Sequence, residues 1–458
     1  MQLTTLADIQ TMAQGLIIQG EPSQGVRATH FDTRQLTADS LFVALKGEAR
    51  DGHDYLLTAY EAGAVAALVS DQTKIPDELP QDFGLILVND TLRAYQKLAT
   101  AYRERFDIPF VAVTGSNGKT TTKDLIAHLL GSQFHLYKTY KNLNNHIGVP
   151  YSLTQIDETH QVAVLELGMN HAGEIDLLAS LVHPQISVIT TIGDAHIEFF
   201  GTREKIALAK AELLPHNNPN GLVLLNGDNE YLRQVSHLAK GEVWFYSVEG
   251  EADIWADNLR ATDEGTHFTV HFRSGETFEA YLPLLGKFNV QNALPAIAIA
   301  RYFDMTVEQI TDALKSASVS GMRFEVVQTE SGGLLINDAY NASPYSMKAA
   351  LETLAGIFPE RRKIVVLGDI FELGVDSAVL HAEVGEYANR YKDLFPLVVT
   401  IGKDSRHISE RFTGEKLHFD TKEEAVEAIR PYVGREYAVM VKASRGMKLD
   451  WLVEQLKG

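Results

Sequence analysis

The chain has no cysteine in its 458 residues. That absence removes disulfides, thiolate metal sites and cysteine nucleophiles together. No stretch approaches the run of about 18 apolar residues that a membrane-spanning helix requires. The opening "MQLTTLADIQTMAQ" lacks the basic start and apolar core of a signal peptide, so the expected location is cytoplasmic, without membrane insertion. Positive charge is also scarce: 41 Lys and Arg against 60 Asp and Glu give a net charge of −19. Such a balance argues against a nucleic acid or an anionic membrane as the principal partner. Small anionic substrates stay open, because backbone N–H groups or Mg²⁺ neutralise a phosphate locally.

What is present is an ordinary globular composition, 45% hydrophobic and 22% charged, over a length that exceeds what one core usually serves. Residues 1–105 mix short strands such as "AVAALVS" with helical runs and read as a small α/β unit. From "FVAVTG" a second pattern starts, in which the buried strands "VAVLELG", "ISVITTIG" and "GLVLLNGD" alternate with helices. Apolar strands without polar alternation point to a mostly parallel sheet covered on both faces. A third alternation, "GLLINDAY", "KIVVLGD", "LVVTIG" and "YAVMVKAS", follows. The fold class expected is therefore α/β in three domains, 1–105, 106–317 and 318–458, with two clefts between them.

One further absence is local. In "VTGSNGKTTTKDLIAHLL" (113–130) the usual phosphate loop would have a glycine at the position held by Val113. The strand still runs into Gly115-Ser116-Asn117-Gly118-Lys119-Thr120-Thr121 and then a helix. Glycines there free the backbone to wrap an anion at a helix N-terminus, with Lys119 on the outer phosphates and the Thr120 hydroxyl toward Mg²⁺. The bland alternative is a tight strand-to-helix turn.

Glu166 ends one apolar strand, and His196 follows another. Strand C-termini line the ligand crevice of an open parallel sheet, so both could converge on one metal and its phosphates. On its own, His196 reads equally as a capping or packing residue. Lys210 lies in "IALAKAEL" beside the apolar stripe Ile206, Ala209 and Leu213. Composition favours a solvated surface lysine there, while a desolvated one near the phosphates would lose its proton. In "VKASRG", an arginine fork suits a carboxylate, and the same stretch reads as an exposed turn.

Together "VTGSNGKTTT", "LELGMN", "IGDAHIEFFGTREKIALAKAE", "LNGDN", "GKFNVQNALPAIA" and "GMRFE" resemble the Mur ligase family of ATP-dependent amide-forming enzymes. In that family the compact loop is a known variant. Four more stretches, "KNLNNHIGVP", "INDAYNASPYSMKAAL", "VVLGDIFELG" and "VKASRGMKL", resemble members that add D-alanyl-D-alanine to UDP-N-acetylmuramoyl-tripeptide. "FDTRQLTADSLFVALKGEARDGHDY" resembles the family's UDP-sugar segment, so the likeness runs through all three domains in order.

The resemblance implies a central P-loop domain flanked by an N-terminal UDP-binding domain and a C-terminal Rossmann-like acceptor domain. It implies ATP at Gly115 to Thr121, with Thr120 on a first Mg²⁺, and a second Mg²⁺ at Glu166 and His196. Lys210 falls where related ligases carry a carbamylated lysine, whose anionic oxygens can reach a metal. Asn289 and Asn292 match residues near adenine, Arg323 a phosphate contact and Asp338 a ribose contact, with Tyr340 and Asn341 beside it. Asp32, Thr33 and Arg34 match the uridine diphosphate segment, and Asn144 and Asn145 a muramoyl stretch. Lys442, Ser444 and Arg445 match the side where the dipeptide or acyl phosphate sits. Lys119, Lys210, His196 and Arg323 are the expected catalytic groups. The expected assembly is a monomer.

Several positions depart from the family pattern: Thr33 for serine, His146 for aspartate, Phe288 for histidine and Ala443 for glycine. None touches the phosphate or metal positions. Rival functions are a ligase adding a single amino acid, folylpolyglutamate synthesis, and a nucleotide sensor whose ADP release needs no amino acceptor. "NASPYSMKAAL" and "LGDIFELG" argue against the first two.

Overall fold

The structure, a computed structural model, describes residues 4–458, so the first three residues of the expected N-terminal domain lie outside it. Three successive stretches of chain each build their own main sheet. The first has five strands in the order Leu16–Gln19, Gly84–Leu87, Ala64–Val69, Ser40–Val43, Ala28–His30, parallel except for the first pair.

The second sheet has nine strands and is the largest. Seven of them, from the edge strand Leu136–Lys138 through Val162–Glu166, Phe110–Thr114, Ile186–Ile189, Leu222–Asn226 and Glu242–Ser247 to Ile254–Ala261, are parallel. Alternate residues of Phe110–Thr114 enter different cores: Val111 and Val113 pack with Leu125 and Leu129 of the helix Lys119–Gly131. Phe110 and Ala112 pack on the opposite face with Leu178 and Ile206. A strand buried on both faces needs apolar residues throughout, which is why this stretch lacks polar alternation. The far edge differs from the expectation of strands and helices alone. Ile254–Ala261, Thr266–Phe272 and Thr277–Leu282 form an antiparallel meander, with a turn at Gly275 (φ 94°).

The strand expected at "ISVITTIG" is shorter than predicted, ending at Ile189. Residues 190 and 191 turn instead toward the phosphate loop, where Thr191 O accepts from Ser116 N at 2.7 Å.

The third sheet has six strands, Glu325–Gln328, Leu334–Asp338, Tyr437–Lys442, Arg362–Gly368, Leu397–Ile401 and Lys416–Phe419, parallel after an antiparallel first pair. In the second and third sheets alike, the chain departs to one side of a central strand and returns on the other. The first switch is at Phe110–Thr114 and the second is beside Tyr437–Lys442. A crevice opens at the strand C-termini at such points. No helix among the described residues is long and apolar enough to cross a membrane.

Candidate active site

The phosphate loop leaves the switch-point strand at Gly115 (φ 147°) and enters its helix at Gly118 (φ 84°). A side chain at Gly115 would collide with Thr190 Oγ1, and one at Gly118 with Asn292 Oδ1, so both glycines are required by close approach as well as by backbone conformation. Lys119 folds back to donate to Gly115 O at 2.7 Å. Asn117 N donates to Thr191 Oγ1 at 3.0 Å, and Gly193 N donates to Ser116 Oγ at 3.0 Å. The neighbouring strand end therefore fixes the loop's shape.

Thr120 is the junction of the site. Its hydroxyl donates to Glu166 Oε2 at 2.9 Å and receives Arg323 Nη2 at 2.9 Å. Asn144 Nδ2 holds the other Glu166 oxygen at 2.8 Å. Arg323 lies 4.1 Å over the Tyr340 ring. Desolvation lowers the Lys119 pKa, with Glu166 opposing the shift and Arg323 reinforcing it.

From the third sheet, Asp338 and Lys442 are register partners on adjacent strands, and Lys442 Nζ donates to Asp338 Oδ2 at 2.7 Å and to Asn341 O at 3.1 Å. Asp338 Oδ1 meanwhile accepts from Phe324 N at 3.1 Å. A cavity of about 310 Å³ is lined from one side by Ser116 to Thr121, Asn144, Glu166 and Asn292, and from the other by Asp338, Tyr340, Asn341 and Lys442. Phe288 also lines it. Asn117 Oδ1 accepts from Ser343 Oγ at 3.0 Å across the gap.

A second cavity, also about 310 Å³, shares Lys119 and Asn144 and continues past Asn145 and His146 to His196. His196 is thus beside the phosphate loop, but its Nδ1 is paired with Glu372 of the third unit. Glu166 and His196 line two different cavities, which meet at Lys119 and Asn144. Among the described residues, no group of three or more His, Asp or Glu side chains is arranged to hold a metal. Of the two readings of Lys210, the solvated one is wrong: the side chain is 1% exposed. Burial pushes its pKa well down, and Lys119 adds to the shift.

Other expected residues lie away from the main cleft. Asn289 is buried in its helix and donates to Leu285 O at 2.8 Å. It does not line the cavity that Asn292 lines. Asp32, Thr33 and Arg34 sit in the first unit, where Asp32 caps a short helical turn and Arg34 Nη2 meets Asp32 Oδ2 at 2.6 Å. Ser444 Oγ accepts from Phe371 N at 2.8 Å, and Arg445 pairs with Asp450 at 3.0 Å, so both support the rim of the third sheet.

Sequence reasoning missed Lys123, Asp124, Gln291 and Ser343. Gln291 lines the cleft and donates to Asp228 Oδ2 at 2.8 Å, which gives "LNGDN" its structural task. Lys123 and Asp124 are each 2% exposed inside the loop helix. A charged pair between the apolar residues of a buried helix was the available signal.

Three α/β units, with a phosphate-binding loop opening on the cleft between the second and third, define a multidomain P-loop enzyme. Three family models match the chain: the Mur ligase family catalytic domain at residues 26–105, the Mur ligase middle domain at 113–300, and the Mur ligase glutamate ligase domain at 322–445. The chain belongs to the Mur ligase family. It is 39% identical to the UDP-N-acetylmuramoyl-tripeptide–D-alanyl-D-alanine ligase of Bacillus subtilis, covering 99% of this chain and 98% of that protein. It is 36% identical to the Escherichia coli protein of the same name, over 93% and 92%. A crystal structure of MurF from Acinetobacter baumannii superposes with a TM-score of 0.91 at 30% identity, covering 99% of both chains. The MurF ligase of Thermotoga maritima in complex with ADP superposes with a TM-score of 0.84 at 27% identity, over 94% of this chain and 97% of that one.

Proposed function

We propose that this chain is the ATP-dependent ligase that joins D-alanyl-D-alanine to UDP-N-acetylmuramoyl-tripeptide in cytoplasmic peptidoglycan-precursor synthesis, acting as a monomer. The observation that carries the reading is the one cleft faced by the phosphate loop on one side and by Asp338, Tyr340, Asn341 and Lys442 on the other. Such a cleft can hold a nucleotide and a second reactant together. In this reading residues 1–105 hold the UDP-sugar through Asp32, Thr33 and Arg34, with Asn144 and Asn145 on its muramoyl side. Residues 106–317 hold ATP, and residues 318–458 hold the acceptor near Lys442, Ser444 and Arg445.

The tripeptide carboxylate attacks the γ-phosphorus, giving an acyl phosphate and ADP; the dipeptide amine then attacks the acyl carbon and phosphate leaves. Two anions must meet in the first step, so the task of this chain is to cancel charge. Lys119 and the loop N–H groups do so at the phosphates, and Arg323 reaches the same place from the third unit. Asn292 and Phe288 border the adenine side and Asp338 the ribose side. Closing the units on one another keeps water from the acyl phosphate.

The donor set fits Mg²⁺, since Thr120 Oγ1 and Glu166 Oε2 are oxygens 2.9 Å apart. Bound there, the ion supplies neutralisation of phosphate charge. Thr120 would hold a first ion and Glu166 a second. His196 would join the second through the ring nitrogen that Glu372 leaves free. Lys210 supports carbamylation because burial favours its neutral amine, the form that adds CO₂ with loss of a proton.

The test is a reconstituted assay with ATP, D-alanyl-D-alanine and UDP-N-acetylmuramoyl-tripeptides carrying lysine or diaminopimelate. Product of the summed mass, with ADP release that requires the dipeptide, is expected. ADP release indifferent to any amino acceptor would overturn the reading in favour of a nucleotide sensor.

A further inference from the structure

Between the helix Val307–Leu314 and the strand Glu325–Gln328 the chain passes from the second unit to the third. This connection is tied to the phosphate-loop helix at two points. Arg323 Nη2 donates to Thr120 Oγ1 at 2.9 Å. Ser320 donates its backbone N–H at 3.0 Å and its hydroxyl at 2.6 Å to Asp124 Oδ2. Thr120 and Asp124 are one turn apart and share a face of that helix. The two ties therefore lie in line along the helix.

Asp124 is a buried carboxylate, 2% exposed, and it is well supplied with partners. Its Oδ1 takes Lys138 Nζ at 3.1 Å, and Lys123 Nζ lies 3.5 Å away. Lys123 also reaches Thr139 O at 3.3 Å and stands 3.9 Å from Glu166 Oε2. Burying charge this way is rarely a net gain in stability over apolar packing, so its value lies in where it holds the chain.

The connection needs holding. Met322 (φ 60°) and Phe324 (φ 57°), on either side of Arg323, both have left-handed backbone without being glycine. Each costs on the order of 1 kcal/mol or more and persists only where the surroundings over-determine it. Glu325 Oε2 takes Met322 N at 2.8 Å, and Asp338 Oδ1 takes Phe324 N at 3.1 Å. Asp338 thus anchors the strained segment on the third unit, and Asp124 anchors it on the second.

We propose that Asp124 is a positioning residue for ligation: through Ser320 it sets the connection on the loop helix so that Arg323 meets Thr120 and the phosphates. The inference rests on the reading of Thr120 and Arg323 as phosphate-side groups. It assigns Asp124 no contact with substrate.

A double-mutant cycle tests it, using full-length protein, kcat and KM for each substrate, and thermal midpoints. Asp124→Asn is expected to lower kcat by roughly 30-fold, within the range that a small misplacement of a catalytic group produces, with the KM for the UDP-tripeptide nearly unchanged. In an Arg323→Ala background the same change is expected to lower kcat by less than about 3-fold, because the group it positions is gone. Ser320→Ala, which keeps the backbone N–H, is expected to give a smaller loss that also vanishes without Arg323. Equal fold losses in both backgrounds would mark general structural damage and overturn the proposal, as would a wild-type kcat in Asp124→Asn. If Asp124→Asn does not fold, Ser320→Ala carries the cycle: a loss that vanishes without Arg323 supports the proposal, and an equal loss in both backgrounds overturns it. A wild-type protein that forms no product overturns the functional reading and this inference with it. Active wild type without the coupling overturns the inference alone.

Discussion

His196 and Glu372 pair across the boundary between the second and third units, and both have left-handed backbone, with φ 66° and 62°. Glu372 O also accepts from Glu198 N at 3.2 Å, so two loops meet side chain to side chain and backbone to backbone. Because the Glu372 side chain is 45% exposed, the contact contributes at most about 1 kcal/mol. Its importance lies in closure and in fixing the imidazole. Glu372→Gln is expected to leave the thermal midpoint within a few degrees of wild type while raising ADP release relative to ligated product. The two yields, measured in one reaction, should diverge; a constant ratio would remove this pair from the closing contacts.

Lys119→Ala removes the positive charge that folds back over the phosphate loop. The expected loss in ADP release dependent on both substrates is at least about 10²-fold, the scale of losing one preorganised electrostatic group. Near-normal turnover would sink the assignment of the loop.

Lys210→Met keeps the length of an apolar stem and removes a buried amine. Among the described residues no hydrogen bond or ion pair to the amine is found. Ligation is expected to be lost, and the thermal midpoint in bicarbonate-free, metal-free buffer to rise rather than fall. Wild-type activity should depend on bicarbonate, with extra electron density on Nζ in a crystal. Bicarbonate-independent activity with bare lysine density would reject the carbamate.

His381 sets an acid limit on the loop that carries Glu372. It is fully buried, Nε2 accepts from Ile370 N at 2.9 Å, and Nδ1 donates to Ser377 O at 2.7 Å, which requires the neutral ring. Burial lowers its pKa below the ordinary histidine value, outweighing the Ser377 carbonyl and nearby carboxylates. Below the unfolded pKa of about 6.5 the unfolded chain binds more protons than the folded one, so this contribution is complete above that pH and is lost as pH falls toward the depressed value. Thermal midpoints from pH 8 to 5 should show this loss in wild type. His381→Gln, uncharged throughout, should have a flatter profile.

Residues whose task follows from their own local chemistry are legible in the sequence. Gly115, Gly118, Lys119 and Thr120 announce a strand–loop–helix turn, and the structure puts that turn at the switch point of the central sheet. Apolar strands such as "VAVLELG" announce burial on both faces. Residues whose task depends on a distant partner are not legible. The partner of His196 stays hidden because Glu372, 176 positions later, leaves no mark near it. Lys210 reads toward solvent because helical periodicity locates a face and not what covers it. Asp124 needs Ser320, 196 positions away. The antiparallel edge of the nine-stranded sheet stays hidden because Ile254–Ala261 mixes exposed polar residues among few buried ones.

The Thr120 hydroxyl uses its single proton on Glu166 and a lone pair on Arg323. An arriving anion therefore meets cations that already have company, Arg323 on the Thr120 hydroxyl and Lys119 on the Gly115 carbonyl, and has to displace a neutral oxygen to bind either. Under the proposed function, a nucleotide bound with a divalent cation would give Glu166 a replacement partner for the Thr120 hydroxyl. Arg323, Thr120 and Glu166 thus form one line of hydrogen bonds that joins the third unit to the central sheet, so that a change of partner at either end frees the hydroxyl in the middle.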